Sequence, residues 1–124
     1  MLVCMTKDFD RQFKKADIGE SKFSKAITEI LAGIVTPIGK KIYKKRVGSR
    51  FGGKRGGYRT ILYYRMQKAI IFMYLYAKNE QEDISDREKK AFVELAGVYD
   101  QMSEESLLWA IRENKLVRWN YEER

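Results

Sequence analysis

The sequence predicts an α+β fold in a single domain that spans residues 1–124. A chain of this length is enough for one core and too short for two ordinary domains. Its hydrophobic content of 44% is typical of a folded globule. The order of predicted elements is a strand, two helices, three strands and then further helices. Three consecutive strands with short turns indicate an antiparallel meander, which we expect to carry its helices on one face.

The N-terminal part predicts a strand followed by a helical hairpin. Met1–Met5 is a short apolar run. Thr6 is a suitable N-cap for a helix from Lys7 to about Ala16, with acidic residues in its first turn. Ser21 is the expected cap of a second helix that ends near Gly33. Apolar residues recur in it at helical spacing: Phe23, Ala26, Ile27, Ile30 and Leu31.

The middle of the chain predicts the meander. Lys40–Val47 mixes apolar and charged residues, as expected of a strand at a polar surface. Gly48–Gly57 contains five glycines and is predicted as a loop. Tyr58–Arg65 is rich in residues that favour strands, and Met66–Lys68 is a tight turn. Ala69–Ala77 is almost continuously apolar, which is the pattern of a central strand.

The C-terminal part predicts two helices and an edge strand. Ser85 and Glu88 form a capping box, which predicts the start of a helix. Ser103 is the expected cap of a second, shorter helix. Residues 115–121 alternate weakly and predict a final edge strand that carries Trp119.

Charge is concentrated in the middle of the chain. The protein has 25 basic and 17 acidic residues, a net charge of +8. The segment Lys40–Lys68, here called the basic segment, contains eleven Lys or Arg residues and no Asp or Glu. Solubility alone does not require one sign of charge to be excluded over 29 residues. The basic segment therefore indicates an anionic partner, of which polyphosphate backbones are the commonest.

The rarity of Cys and the lack of His exclude several classes of protein. Cys4 is the only cysteine and there is no histidine. An internal disulfide, a Cys/His zinc site and a Ser–His–Asp or Cys–His hydrolase are therefore excluded, and we expect no cofactor. The longest apolar run is far shorter than the ~20 residues that span a bilayer. The N-terminus becomes charged too early for a secretory signal, so we expect a cytoplasmic protein that contacts no membrane.

Alternation along the strands sorts the basic side chains by face. In the first meander strand, Lys44 and Arg46 share a face. In the second, Arg59 shares a face with Tyr63 and Arg65. In the third, the expected set is Phe72, Tyr74, Tyr76 and Lys78. If the helices cover the other side, the open face is a cationic pocket with tyrosines at its margin, which suits single-stranded RNA.

Such a face could cleave RNA without a metal or His. The ribose 2′-hydroxyl attacks the adjacent phosphate, and negative charge develops on the non-bridging oxygens. Closely placed Arg and Lys stabilise that charge where it develops. A Lys with cationic neighbours can also act as an acid or base.

Two sequence blocks resemble a known family. GGKRGGYRTILYYR (52–65) and AIIFMYLYAKNEQEDIS (69–85), with IGKKIYKKRV (38–47) upstream, resemble the RelE/HigB family of bacterial type II toxins, most closely the HigB-type branch. The resemblance implies a compact RelE-like α+β domain. It also implies a metal-independent endoribonuclease that cuts mRNA in the ribosomal A site. Its partner would be a cognate antitoxin, for which we expect a helix-turn-helix protein.

The resemblance also implies site residues. The alternate basic residues of the first meander strand fall on Lys44 and Arg46, and the Arg of the GYR motif on Arg59. Where the RelE branch has an Arg after the last meander strand, this sequence has Asn79, and a family Tyr is replaced by Ser85. Lys78 is the expected substitute as the fourth catalytic residue, with Lys54 and Arg55 of the glycine-rich loop as the alternative. The expected RNA-binding residues are Lys41, Lys45, Lys54, Arg55, Tyr58, Arg65, Tyr74 and Tyr76.

Two other functions are compatible with the sequence. One is a ParE-type toxin, which would share the fold but bind a protein target without catalysis. The other is an RNA- or ribosome-binding module that does not cleave. The concentration of positive charge in the basic segment disfavours the ParE-type alternative, and the sequence does not separate cleavage from binding.

Overall fold

A computed structural model describes residues 1–50 and 57–121 of the chain. The N-terminal half of the sheet and its first helices comprise β1 (Leu2–Thr6), α1 (Lys7–Lys15), α2 (Glu20–Leu31), β2 (Thr36–Gly39) and β3 (Ile42–Val47). The remaining elements are β4 (Tyr58–Arg65), β5 (Ala69–Ala77), α3 (Asp86–Gln101), α4 (Glu104–Arg112) and β6 (Leu116–Arg118). The α+β class is confirmed.

Several local predictions are confirmed at the level of single residues. β4 and β5 have the predicted bounds. The hydroxyl of Thr6 accepts a hydrogen bond from the Phe9 N–H and caps α1. Ser85 and Glu88 form the complete capping box of α3, and Ser103 caps α4. These are short-range interactions, so the local sequence is sufficient to predict them.

Three element boundaries differ from the prediction. α2 begins at Glu20 with Gly19 as its N-cap, so Ser21 lies inside the helix. An additional strand, β2, precedes the meander, and the first meander strand begins at Ile42 rather than at Lys40. Lys41 occupies the turn between β2 and β3 with a φ of 65°. The final strand is shorter than predicted and ends before Trp119.

The sheet has six strands in the order β2-β3-β4-β5-β1-β6. The meander β3-β4-β5 is antiparallel, as predicted. β1 lies beside β5 and is parallel to it, and β6 pairs with the far side of β1 as an edge strand. The N-terminal strand is therefore an interior strand of the sheet.

Helices cover both faces of the sheet, so the prediction of helices on one face is wrong. Phe9 of α1 and Phe23 of α2 pack on one face against Phe72. Ala96 and Tyr99 of α3 and Leu107 of α4 pack on the other. The reason is that β1 and β5 carry buried apolar side chains on both sides, and each side needs a covering layer. We refer to the α1–α2 face and the α3–α4 face.

A β-bulge in β5 changes the predicted sorting of its side chains. Ile61 stands opposite Tyr74, but Leu62 stands opposite Phe72, so Met73 is the extra residue. Met73 and Tyr74 consequently both pack toward the α3–α4 face, whereas Phe72 packs on the α1–α2 face. The prediction that Phe72 shares a face with Tyr74 and Tyr76 is therefore wrong, and Tyr74 and Tyr76 remain together.

Candidate nucleic-acid interface

Arg46, Arg59 and Tyr76 form a row across three neighbouring strands. Arg46 of β3 is the register partner of Arg59 of β4, and Arg59 is the partner of Tyr76 of β5. Directly opposed side chains share a face, with Cβ atoms about 5 Å apart. Arg46 is exposed and Arg59 is half-buried, with its Nη1 donating to the Tyr58 carbonyl at 3.3 Å. The structure thus brings together the two predicted catalytic arginines.

Lys44 lies in the next row on the same face. Its register partner is Ile61, whose partner on β5 is Tyr74. The Lys44 ammonium lies 3.2 Å from Oδ1 of Asp83. Lys44, Arg46 and Arg59 are the three cations of what we call the cationic site, at the end of the α3–α4 face where β3 and β5 end and β4 begins.

The glycine of the GYR motif, Gly57, is required by the conformation of the backbone. Gly57 has a φ of 61°, and a Cβ placed on it would lie 2.7 Å from the Val47 carbonyl oxygen. A side chain is therefore excluded both by conformation and by space. This close approach of the backbones at the start of β4 fixes the pairing that sets Arg59 opposite Arg46.

Asp83 is a site residue that the sequence analysis missed. Its Oδ1 accepts hydrogen bonds from the Ile84 N–H at 2.8 Å, from Lys44 and from the Tyr76 hydroxyl at 3.5 Å. The Ile84 N–H, together with Lys44 and Tyr76, lowers the pKa of Asp83, against some burial that raises it. No periodic signal marks this loop residue, because its position beside Lys44 depends on the path of the chain after β5.

The two tyrosines of β5 are held by hydrogen bonds. Their ring centroids are 5.6 Å apart, and the Tyr74 ring also stacks on Phe92 at 5.5 Å. The Tyr74 hydroxyl donates to Oε1 of Gln81 at 2.9 Å. Burial, followed by the negative charge of Asp83, raises the pKa of Tyr76 to about 12. Both hydroxyls are therefore protonated donors near neutral pH, and their rings have fixed positions.

Two predicted RNA-binding residues lie at the opposite end of the α3–α4 face. Arg65 is six residues beyond Arg59 on β4, roughly 20 Å along the strand. Its Nη1 donates to the carbonyls of Asp100 and Met102 at 3.3 Å. Lys41 pairs with the Asp100 carboxylate at 3.5 Å. The structure therefore separates Arg65 and Lys41 from the cationic site.

Two more predicted RNA-binding residues lie on the α1–α2 face. The Lys45 side chain is buried, with its ammonium 2.8 Å from the Ile34 carbonyl and 3.2 Å from the Glu29 carboxylate. The hydroxyl of Tyr58 accepts a hydrogen bond from the Asp17 N–H at 2.9 Å. Lys45 therefore has a structural role, which the sequence does not indicate because Lys45 is one of five basic residues in Lys40–Arg46. We do not include it in the proposed interface.

The remaining predicted residues flank the site. Lys78 directly follows β5, is exposed, and its backbone N–H donates to the Gly57 carbonyl at 3.3 Å. The hydroxyl of Ser85 is used as the cap of α3. Lys54 and Arg55 lie outside the described residues.

Residues 1–50 and 57–121 contain neither a candidate metal centre nor a candidate membrane-spanning helix. Within these ranges no group of three or more His, Cys, Asp or Glu side chains is placed to hold a metal ion. No helix in the same ranges is long and apolar enough to cross a membrane.

The fold and the cationic site define a small α+β protein whose mixed sheet brings Lys44, Arg46 and Arg59 together at one end of the α3–α4 face. The family model described as the RelE toxin of the RelE/RelB toxin-antitoxin system matches residues 1–118. The chain therefore belongs to the RelE toxin family, and it is the toxin of a toxin-antitoxin system whose partner is a RelB-type antitoxin. No curated protein matches this sequence significantly.

Proposed function

We propose that this toxin is an endoribonuclease that inhibits translation by cleaving mRNA on the ribosome. The observation that carries the proposal is the row of Arg46 and Arg59 beside Tyr76, with Lys44 in the neighbouring row. A guanidinium can donate two parallel hydrogen bonds to a phosphate, and two guanidinium groups on one face suit a phosphodiester chain. Membership of the RelE family supports the same reaction class.

The proposed reaction is an internal displacement at phosphorus. The 2′-oxygen loses its proton and attacks the adjacent phosphorus, forming a 2′,3′-cyclic phosphate. The bond from phosphorus to the 5′-oxygen breaks, and that oxygen takes up a proton. No water, metal or oxidant enters this step, so side chains alone are sufficient.

In this scheme the cationic site stabilises the charge of the transition state. Arg59 binds the non-bridging oxygens of the scissile phosphate, and Arg46 binds the same or the next phosphate. The hydrogen bonds of the guanidinium groups strengthen as negative charge develops on the phosphate oxygens. The Lys44 ammonium, held by Asp83, contributes a further charge.

Lys78 is the candidate for proton transfer, and Tyr76 is the candidate for positioning the substrate. The exposed Lys78 side chain follows β5 directly, and it would protonate the leaving 5′-oxygen. Tyr76 lies beside Arg59, and its hydroxyl, whose proton is directed to Asp83, would accept a hydrogen bond from the attacking ribose and orient it. Lys54 and Arg55 are further proposed RNA contacts from the glycine-rich segment.

The finer biological assignment is part of this proposal. We propose a HigB-type toxin that acts in the ribosomal A site in the cytoplasm. We further propose that its antitoxin is a helix-turn-helix protein whose contact with the cationic site is acidic, since complementary charge suppresses the wrong partners and speeds association.

The test is a translation reaction with purified ribosomes and a defined mRNA, with mRNA ends mapped in the presence and absence of the protein. The proposal predicts new 5′-hydroxyl ends within the translated codons, only when ribosomes are present. Arrested translation with intact mRNA would contradict it and favour a non-cleaving module. Growth arrest without any effect on translation would favour a ParE-type toxin.

A further inference from the structure

The edge of β5 is only partly covered by β1. The parallel pairing of the two strands ends where Met5 meets Phe72, because the chain then turns into α1. Beyond this point α1 borders the edge. The Thr6 hydroxyl donates to the Met73 carbonyl at 3.2 Å, and Oε1 of Gln12 accepts from the Leu75 N–H at 3.0 Å.

This arrangement leaves one backbone acceptor and one donor at the edge. In an antiparallel pair, the N–H and C=O of a residue point to the same side of the strand, and the side alternates from residue to residue. Because the Leu75 N–H is directed to Gln12, the Leu75 carbonyl and both backbone groups of Ala77 also point away from β4. The Ala77 carbonyl accepts from the N–H groups of Glu80 and Gln81 at 3.1 Å. Within the described part of the chain, the Leu75 carbonyl and the Ala77 N–H are left without a backbone partner.

Leu75 and Ala77 line a cavity of about 500 Å³, which we call the edge pocket. Its wall contains three aromatic rings, and it is lined by residues that include Gln12, Lys15, Tyr58, Tyr74, Tyr76 and Ala77. Each ring is held by a hydrogen bond of its hydroxyl. Tyr58 bonds to the Asp17 N–H, Tyr74 to Gln81 and Tyr76 to Asp83. The volume is in the range of small-molecule sites, and the walls need no reordering to accept a flat ligand.

We propose that the edge pocket binds one nucleobase of the RNA, next to the phosphate held at the cationic site. Tyr76 connects the two sites, since it lines the pocket and is also the register partner of Arg59. An unpaired base offers a flat ring for the tyrosines and a polar edge for the Leu75 carbonyl and the Ala77 N–H. Lys15 is exposed at the rim and can contact the flanking phosphate. This inference rests on the proposed function only in taking RNA as the ligand.

An added peptide strand fits the edge less well. Strand addition needs a row of free backbone groups. At this edge Gln12 occupies the Leu75 N–H, and the turn after β5 occupies the Ala77 carbonyl. One donor and one acceptor remain, which is enough for the polar edge of a base and too few for a β-strand.

The test uses hexamers of ribose phosphate that differ only in their bases. One probe is fully abasic, and four others carry a single adenine, guanine, cytosine or uracil at the third position, so the phosphate charge is constant. Binding is measured by fluorescence anisotropy to the full-length protein. At least one base is expected to raise the affinity about fivefold or more over the abasic probe.

Ala77→Leu is the variant that fills the pocket, and Ala91→Leu is its matched control at an exposed position of α3. The gain from the base is expected to disappear in Ala77→Leu and to persist in Ala91→Leu, with thermal melts confirming that both fold. Tyr74→Leu, which removes one wall, should also lose the gain.

The inference is overturned if all five probes bind the wild-type protein equally, or if folded Ala77→Leu and Tyr74→Leu keep the gain. A different result would contradict the proposed function. A protein that prefers a probe with a base but leaves mRNA intact on ribosomes would keep the edge pocket and remove the nuclease. A protein that cleaves mRNA but does not prefer a probe with a base would support the nuclease and contradict base binding in the edge pocket.

Discussion

Lys44 and Lys45 are consecutive residues of β3, and their ammonium groups lie on opposite faces of the sheet. Lys44 pairs with Asp83 on the α3–α4 face, and Lys45 pairs with Glu29 on the α1–α2 face. The Lys44 side chain is 27% exposed and the Lys45 side chain 8%. Two residues that are equivalent in the sequence thus have different surroundings, which allows a matched comparison.

Lys45→Met should therefore mainly reduce stability, and Lys44→Met should mainly reduce RNA binding. Lys45→Met leaves the Ile34 carbonyl without its donor and should lower the free energy of unfolding by about 1–3 kcal/mol. Lys44→Met breaks the partly exposed ion pair with Asp83 and should change the free energy of unfolding by less than about 1 kcal/mol. In RNA binding the order reverses, with only Lys44→Met lowering the salt slope, by about one unit. Urea unfolding and binding titrations check this, and equal losses of RNA affinity in both variants would contradict the assignment of faces.

RNA binding by the wild-type protein should fall steeply with salt. Cations that neutralise phosphates release counterions, so the logarithm of the binding constant declines linearly with the logarithm of salt concentration. If the three cations of the cationic site all contact phosphates, the slope should be at least about 2–3 for single-stranded RNA. Titrations between low and moderate salt measure it. A binding constant that is insensitive to salt would rule out phosphate contacts at this site.

Asp83→Asn should separate RNA binding from cleavage. The carboxylate places a negative charge beside Lys44, so its removal should tighten RNA binding a few-fold at low salt. The same change weakens the anchor shared by Lys44 and the Tyr76 hydroxyl, and it should slow the single-turnover cleavage rate. Glu82→Gln, at the exposed residue next to it, is the control for charge alone. If the two variants behave alike, Asp83 has no positioning role.

Tyr63→Phe should reduce stability in a pH-dependent manner. The Tyr63 hydroxyl donates to the Asp100 carboxylate at 2.9 Å, and this bond is the main cause that lowers the pKa of Asp100. A carboxyl whose pKa is lowered on folding stabilises the protein above its unfolded pKa and loses that contribution as the pH falls through its folded pKa. Tyr63→Phe should therefore cost about 1 kcal/mol at pH 7 and less below about pH 4.

Urea unfolding at pH 7 and pH 3 provides the measurement, with Asp100→Asn and the double variant completing a cycle. A loss of stability in Tyr63→Phe that is the same at both pH values would show that the ring position, rather than the charged hydrogen bond, determines the effect.

The local sequence was sufficient to predict the meander, the family and the caps of α1, α3 and α4, because each depends on neighbouring residues, whereas the cap predicted at Ser21 was wrong. The sorting of Arg59 with Tyr63, and of Lys44 with Arg46, followed from strand alternation alone. The bulge at Met73 broke that rule in β5, and no residue pattern marks a bulge that is imposed by pairing with a second strand.

The covering of both faces was missed although a signal was present. Leu2, Val3, Cys4 and Met5 are all buried, two toward each face. Such an unbroken apolar strand indicates burial on both sides, which requires two helical layers. Asp83 could not be found in this way, since its contact with Lys44 joins residues 39 positions apart in the sequence.

The rate of mRNA cleavage by Arg59 variants on programmed ribosomes tests the central claim most directly. Arg59→Lys keeps the positive charge but loses the two-pronged donor, and Arg59→Ala loses both. Arg87→Lys, at an exposed position in the first turn of α3, is the matched control. We predict a loss of cleavage rate of about 100-fold or more in Arg59→Lys, none in Arg87→Lys, and melting temperatures close to wild type for all variants. A folded Arg59→Ala protein that cuts mRNA at the wild-type rate would contradict the account.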